Sequence, residues 1–183
     1  MTTDTHIPKR QRIFLVIAIS IGILLLSTYQ LNLIKNGTLG VLIFLYSFGL
    51  SMSLLVSSAL VDLNNLNTYL AWLSLSIIML LVYWWTKDSP DFSISRTMDF
   101  YEKSKFNIYV TNSGTNALRT LFFFLIVYQL CNIFMKRLIS KPLVNTFNQF
   151  SWTHDSSRRR ITIFDVTFNI ILYCVVIGSA VLK

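Results

Sequence analysis

In the run YSFGLSMSLLVSSAL, Gly49, Ser53 and Ser57 are spaced four apart, which places them on one face of a helix, with Ser47 and Ser51 beside them. A face this small and polar suits close approach of another helix, a subunit interface, or the lining of a narrow water path. A serine hydroxyl also bonds back to the carbonyl one turn earlier, so the stripe alone does not define a pore. Ala18 and Gly22 make a shorter version. Asp165 is the sole acid inside a long apolar run, about one turn from its start, and is a candidate for an interfacial contact or an ion site. His154 and Asp155 adjoin, yet no motif supplies a nucleophile, and Asp155 is expected to cap the last helix by accepting a backbone N–H. The only other histidine is His6. HExxH, CxxC, GxSxG and GxxxxGK[ST] patterns are absent. Cys131 and Cys174 lie inside apolar runs as small hydrophobes, with no disulfide framework. No catalytic, cofactor-binding or metal residue is expected, and no cofactor. The chain reads as non-enzymatic.

The elements that must hold these residues follow from composition. Hydrophobic residues make up 54% of the chain and charged ones 13%, more apolar surface than a soluble protein of 183 residues can hide. It comes in blocks of about 20 residues, the length that crosses a bilayer. The blocks are Ile13 to Ile34, Thr38 to Val61, Leu66 to Trp85, Leu118 to Met135 and Ile161 to Leu182. The expected fold is an all-α integral membrane protein, one transmembrane domain over residues 1–183, with a bundle of five transmembrane helices. Four is the alternative, with the last segment partly interfacial, because Asp165 and Asn169 lie near its start. The first block follows PKRQR but is too long for the core of a signal peptide, and reads as an uncleaved signal anchor.

Lys and Arg near span ends set orientation. With the N-terminus inside and five crossings, nine bases fall inside and seven outside. The loop from Lys87 to Ala117, about 30 residues, is then extracytoplasmic and balances four bases with four acids. The expected location is the bacterial inner membrane, multi-pass, with a cytoplasmic N-terminus. Tyr83, Trp84 and Trp85 fit a membrane–water boundary. In the outer loop, alternation at Phe106, Ile108 and Val110 before Asn112-Ser113-Gly114 predicts a short strand and a turn. Ile94, Met98 and Tyr101 predict a helical turn upstream of it. In the inner basic segment, residues 136–160, Ser140 as a cap and Pro142 in a first turn predict a short amphipathic cytoplasmic helix. Its stripe would be Leu143, Phe147 and Phe150, lying in the headgroup region.

Lys136, Arg137, Lys141, Arg158, Arg159 and Arg160 are the expected docking residues on the inner face, for acidic phospholipid headgroups or a partner protein. Gly49, Ser53 and Ser57 are the expected packing or subunit interface. Three consecutive arginines without a recognition fold make a small electrostatic footprint, so direct nucleic-acid contact is not expected. The run RRRITIFDVTFNIILY, after KRLISKPLVNTFNQF, resembles the KwaA-like membrane subunits of the bacterial Kiwa anti-phage defence system. The likeness lies in size, span number and basic inner segments along the whole chain, not in a short motif. It implies a homo-oligomeric membrane sensor, a tetramer being one such assembly, that recruits a cytoplasmic DNA-binding partner, KwaB, and halts phage replication. That family is generally described with four spans, and no site residue is carried over from it. The expected function is a non-enzymatic sensor or scaffold that docks a cytoplasmic partner. The alternatives are a small channel or depolarising effector, and an immunity or accessory protein against a secreted toxin.

Overall fold

Each apolar block becomes a helix. In the computed structural model, the described residues are 7–31, 33, 36–56, 62–86, 93–94, 112–144, 146 and 161–181. The helices are α1 (Lys9–Gln30), α2 (Asn36–Val56), α3 (Leu66–Thr86), α4 (Thr120–Ile139) and α5 (Ile163–Val181). All five are long and apolar enough to cross a membrane. The fifth meets that test with Asp165 and Asn169 inside it, and both side chains are fully buried.

The core forms around α4. Leu121, Phe124, Leu125, Tyr128 and Met135 recur every three or four residues and are fully buried. Helices α4 and α5 are extensive neighbours, and α2 and α3 close the bundle against α4. Helix α1 is the peripheral member. Only 11% of its apolar stretch is buried, against 50% for the stretch that contains α4. The outward belt of Ile, Leu, Val, Trp and Phe side chains would be unstable in water and is the expected surface toward lipid.

Two expectations for the long loop change. Asn112 and Ser113 are paired strand instead of a turn: Ser93–Ile94 (β1) and Asn112–Ser113 (β2) run antiparallel, with Ser93 opposite Ser113 and Ile94 opposite Asn112. Ile94 is therefore extended and not part of a helical turn. Met98, Tyr101, Phe106, Ile108 and Val110 lie outside the described residues. The second change is at Gly114–Arg119, a 3₁₀ helix that packs against α2, α3 and α5 as a plug. Thr115, Asn116, Ala117 and Leu118 are all buried, so this part of the loop belongs to the bundle.

Arg119 ends the plug and ties it to α5. Its Nε donates to the Ser179 carbonyl at 3.0 Å, and its guanidinium carbon lies 5.6 Å from the Tyr83 ring centroid. Ser179 is in the last turn of α5, where carbonyls lack helical partners and the dipole favours a cation. Arg119→Ala is expected to lower stability by about 1–2 kcal/mol, read as thermal unfolding in mild detergent.

Candidate functional site

The bundle has two ends. One carries Arg119 and the exposed Trp84 and Trp85. The other, the basic end, carries the first turn of α1, the turn between α2 and α3, the exit of α4 and the start of α5. A buried polar network joins these four pieces.

It begins where α4 stops. Ser140 adopts the left-handed conformation at φ 58°, ψ 21°, and its N–H donates to the Lys136 carbonyl at 3.0 Å. A residue with a Cβ pays about 1–2 kcal/mol for that geometry, so it marks a firm helix end. Pro142, which has no N–H to give to the helix, then keeps α4 from continuing. This corrects the expected amphipathic helix at its start. Ser140 closes α4 instead of opening a new helix, Pro142 lies in non-helical chain, and Leu143 is buried among the helices instead of facing headgroups. Phe147 and Phe150 lie outside the described residues.

Leu143 and Val144 enter the bundle as non-helical chain, and their backbone groups need partners in an apolar setting. Side chains of α4 and α5 supply them. Leu143 N donates to Asn132 Oδ1 at 3.1 Å, and Val144 N to Asp165 Oδ1 at 3.4 Å. Asn169 Nδ2 donates to the Val144 carbonyl at 2.8 Å and to the Asp165 carbonyl at 2.7 Å. Asn132 Nδ2 also donates to Asn64 Oδ1 at 2.9 Å, which brings in the α2–α3 turn. Thr146 Oγ1 and Asn169 Oδ1 are buried without a hydrogen-bond partner among the described residues.

Asp165 also closes the start of α5. Its Oδ2 accepts from Thr162 N at 2.9 Å and from Thr162 Oγ1 at 2.7 Å, and its own N–H reaches back to Thr162 Oγ1 at 3.4 Å. This is a reciprocal capping box, with a carboxylate at the positive end of the helix dipole. The signal was present in sequence as Thr-x-x-Asp, at Thr162-Ile163-Phe164-Asp165. Thr162 stands where Asp155 was expected, and Asp155 lies outside the described residues.

A second link fastens α1. Gln11, buried in the first turn of α1, donates from Nε2 to Asp62 Oδ2 at 2.8 Å and accepts from Trp72 Nε1 at 3.0 Å.

Lys136, Arg137 and Lys141 lie along the chain between Asn132 and Leu143, two members of this network. Lys136 and Arg137 occupy the last turn of α4, where cations complement the dipole. Arg137 and Lys141 are exposed and Lys136 is half-buried. The structure thus brings three of the six expected docking residues to one rim. Arg158, Arg159 and Arg160 lie outside the described residues.

Comparison with protein-family models, curated proteins and solved structures finds no match.

The small-residue stripe points elsewhere. Ser53 is exposed, and a Cβ built on Gly49 would meet nothing within 4 Å. Ser57 lies outside the described residues. Within the chain, the packing serines are Ser47 and Ser51. Ser51 Oγ donates to the Ser47 carbonyl at 3.0 Å and lies 3.0 Å from Thr120 Oγ1 on α4. Their phase matches Leu39, Ile43, Leu50 and Leu54, the buried side of α2. Among the described residues no group of three His, Cys, Asp or Glu side chains comes together. The basic end therefore holds a positively charged rim over a hydrogen-bonded floor, a geometry suited to binding an acidic surface.

Proposed function

We propose that this chain is a non-enzymatic multi-pass membrane subunit whose basic end faces the cytoplasm and docks an acidic surface of a cytoplasmic protein. The observation that carries the proposal is the rim of Lys136, Arg137 and Lys141 above a floor held by Asn132, Asp165 and Asn169. A flexible basic tail would lose conformational entropy on binding, whereas cations on a helix end and a pinned segment have already lost much of it. The acids near this rim are occupied within the fold: Asp62 holds Gln11 and Asp165 holds Thr162 and Val144. The open face of Gly49 and Ser53 supports self-association, since membrane helices meet through small residues. A sensor or scaffold role in anti-phage defence is the physiological setting proposed for this assembly, on the likeness stated above.

Lys136→Glu, Arg137→Glu and Lys141→Glu together are expected to reduce recovery of the partner by more than about tenfold in affinity purification from mild detergent, with thermal stability nearly unchanged. Recovery equal to that of the unaltered chain would rule out docking through this rim.

A further inference from the structure

Helix α1 leaves a lateral cleft of about 490 Å³ between itself and α3, floored by α2. That is within the range of about 300–1,000 Å³ for small-molecule sites. Leu15, Ile19 and Ile23 form the α1 wall, and Ala71, Ser74 and Ile78 the α3 wall. The hydroxyls in the cleft are already committed. Tyr46 Oη donates to the Ala18 carbonyl at 2.7 Å, and Ser74 Oγ to the Leu70 carbonyl at 2.9 Å. Gly22 leaves room for the first of these, since a Cβ there would come within 3.1 Å of Tyr46 Oη. The cleft therefore offers hydrocarbon and no open donor or acceptor, and would stay dry.

One turn before the α1 wall begins, the helix carries a charge. Arg12 lies at i−3, i−7 and i−11 from Leu15, Ile19 and Ile23, on the same stripe of α1 and at the edge of the apolar block. The side chain is exposed, and its Nε donates to the Ile7 carbonyl at 2.9 Å, a bond that uses none of the Nη hydrogens. Asp62 accepts from Gln11, which is buried on the core side of α1. Arg10 is about 160° around α1 from Arg12 and serves another face.

We infer that the cleft between α1 and α3 holds one acyl chain of an anionic phospholipid whose phosphate group is bound by Arg12. The chain fills an apolar slot that runs along the helices, and the guanidinium binds phosphate oxygens in the fork geometry that suits them. The inference needs the helices to cross a bilayer, but does not depend on which side the basic end faces or on any protein partner.

The test uses the full chain in mild detergent, titrated with phosphatidylglycerol or phosphatidylcholine and weighed intact by native mass spectrometry. One phosphatidylglycerol is expected to be retained in preference to phosphatidylcholine. Arg12→Gln should weaken that retention by about tenfold, and Arg10→Gln should leave it unchanged. Ser74→Leu with Ala71→Leu fills the slot and should abolish retention with Arg12 intact. Equal retention of the two lipids, equal loss in the Arg10 and Arg12 variants, or undiminished binding to the filled cleft would each overturn the assignment. So would a dimer that the filled cleft disrupts, since a second copy would then be the occupant.

Discussion

Asp165→Ala is expected to destabilise the folded bundle by about 3 kcal/mol or more. The carboxylate accepts from three donors, Thr162 N, Thr162 Oγ1 and Val144 N. A buried donor stripped of its acceptor costs about 1–3 kcal/mol, and the threonine hydroxyl recovers part by rotating. Asp165→Asn keeps one acceptor oxygen but sets an amide N–H₂ against the Thr162 donors, so about half of that loss is expected. Unfolding in mixed detergent would give the magnitude. Amide exchange at Leu143 and Val144 would localise it, because these two residues are held by the same cluster. An alanine variant within about 0.5 kcal/mol of the unaltered chain, with those amides still protected, would show that the carboxylate does not hold the segment.

Trp72→Ala is the other substitution with a large expected effect, at about 3–5 kcal/mol. Trp72 is fully buried in α3, lies 5.2 Å from the Phe14 ring centroid, and donates to Gln11. Lipid compensates poorly for its loss. Lipid tails remove the ordinary hydrophobic drive between helices, but a void inside the bundle still forfeits its packing contacts. The effect should concentrate on α1, whose other polar anchors to the bundle are Gln11 to Asp62 and the Ala18 carbonyl to Tyr46. Hydrogen exchange should rise along α1 while α4 stays protected. Uniform loss of protection would mean that α1 is no separate unit, and loss below about 1 kcal/mol would contradict the role given to Trp72.

The spans were legible because their cause is local: a run of apolar side chains of sufficient length. Their ends were less so. Helix α1 starts at Lys9, four residues before the apolar block, and α4 runs on to Ile139 through Lys136 and Arg137. Long basic side chains carry their charge to the interface while the backbone stays helical, so charge does not mark a helix end. The basic end was legible only in its charges. Asp165 and Asn169 read as polar faults in an apolar run and Asn132 went unremarked, and the chain that explains all three, Leu143 and Val144, is brought to them only by tertiary folding. Leu143 was misplaced for the same reason, since an apolar residue after a helix end suits the bundle interior as well as a headgroup layer. On α2 the spacing of four was correctly seen, yet two serine rows share it. Only the phase of the neighbouring leucines separates the buried row of Ser47 and Ser51 from the open row of Gly49 and Ser53.

A cytoplasmic partner can reach the basic end only if that end lies in the cytoplasm, and five crossings place the end of α5 on the opposite side. Single cysteines at Leu31, Lys141 and Val181, all exposed positions, can be placed in a chain with Cys131 and Cys174 replaced by alanine. They would be probed in intact cells with a membrane-impermeant maleimide. Leu31→Cys and Val181→Cys are predicted to react in intact cells, and Lys141→Cys only after the membrane is opened. Labelling of Lys141→Cys in intact cells would invert the bundle and remove the proposed docking, and protection of Val181→Cys alongside Lys141→Cys would replace five crossings with four.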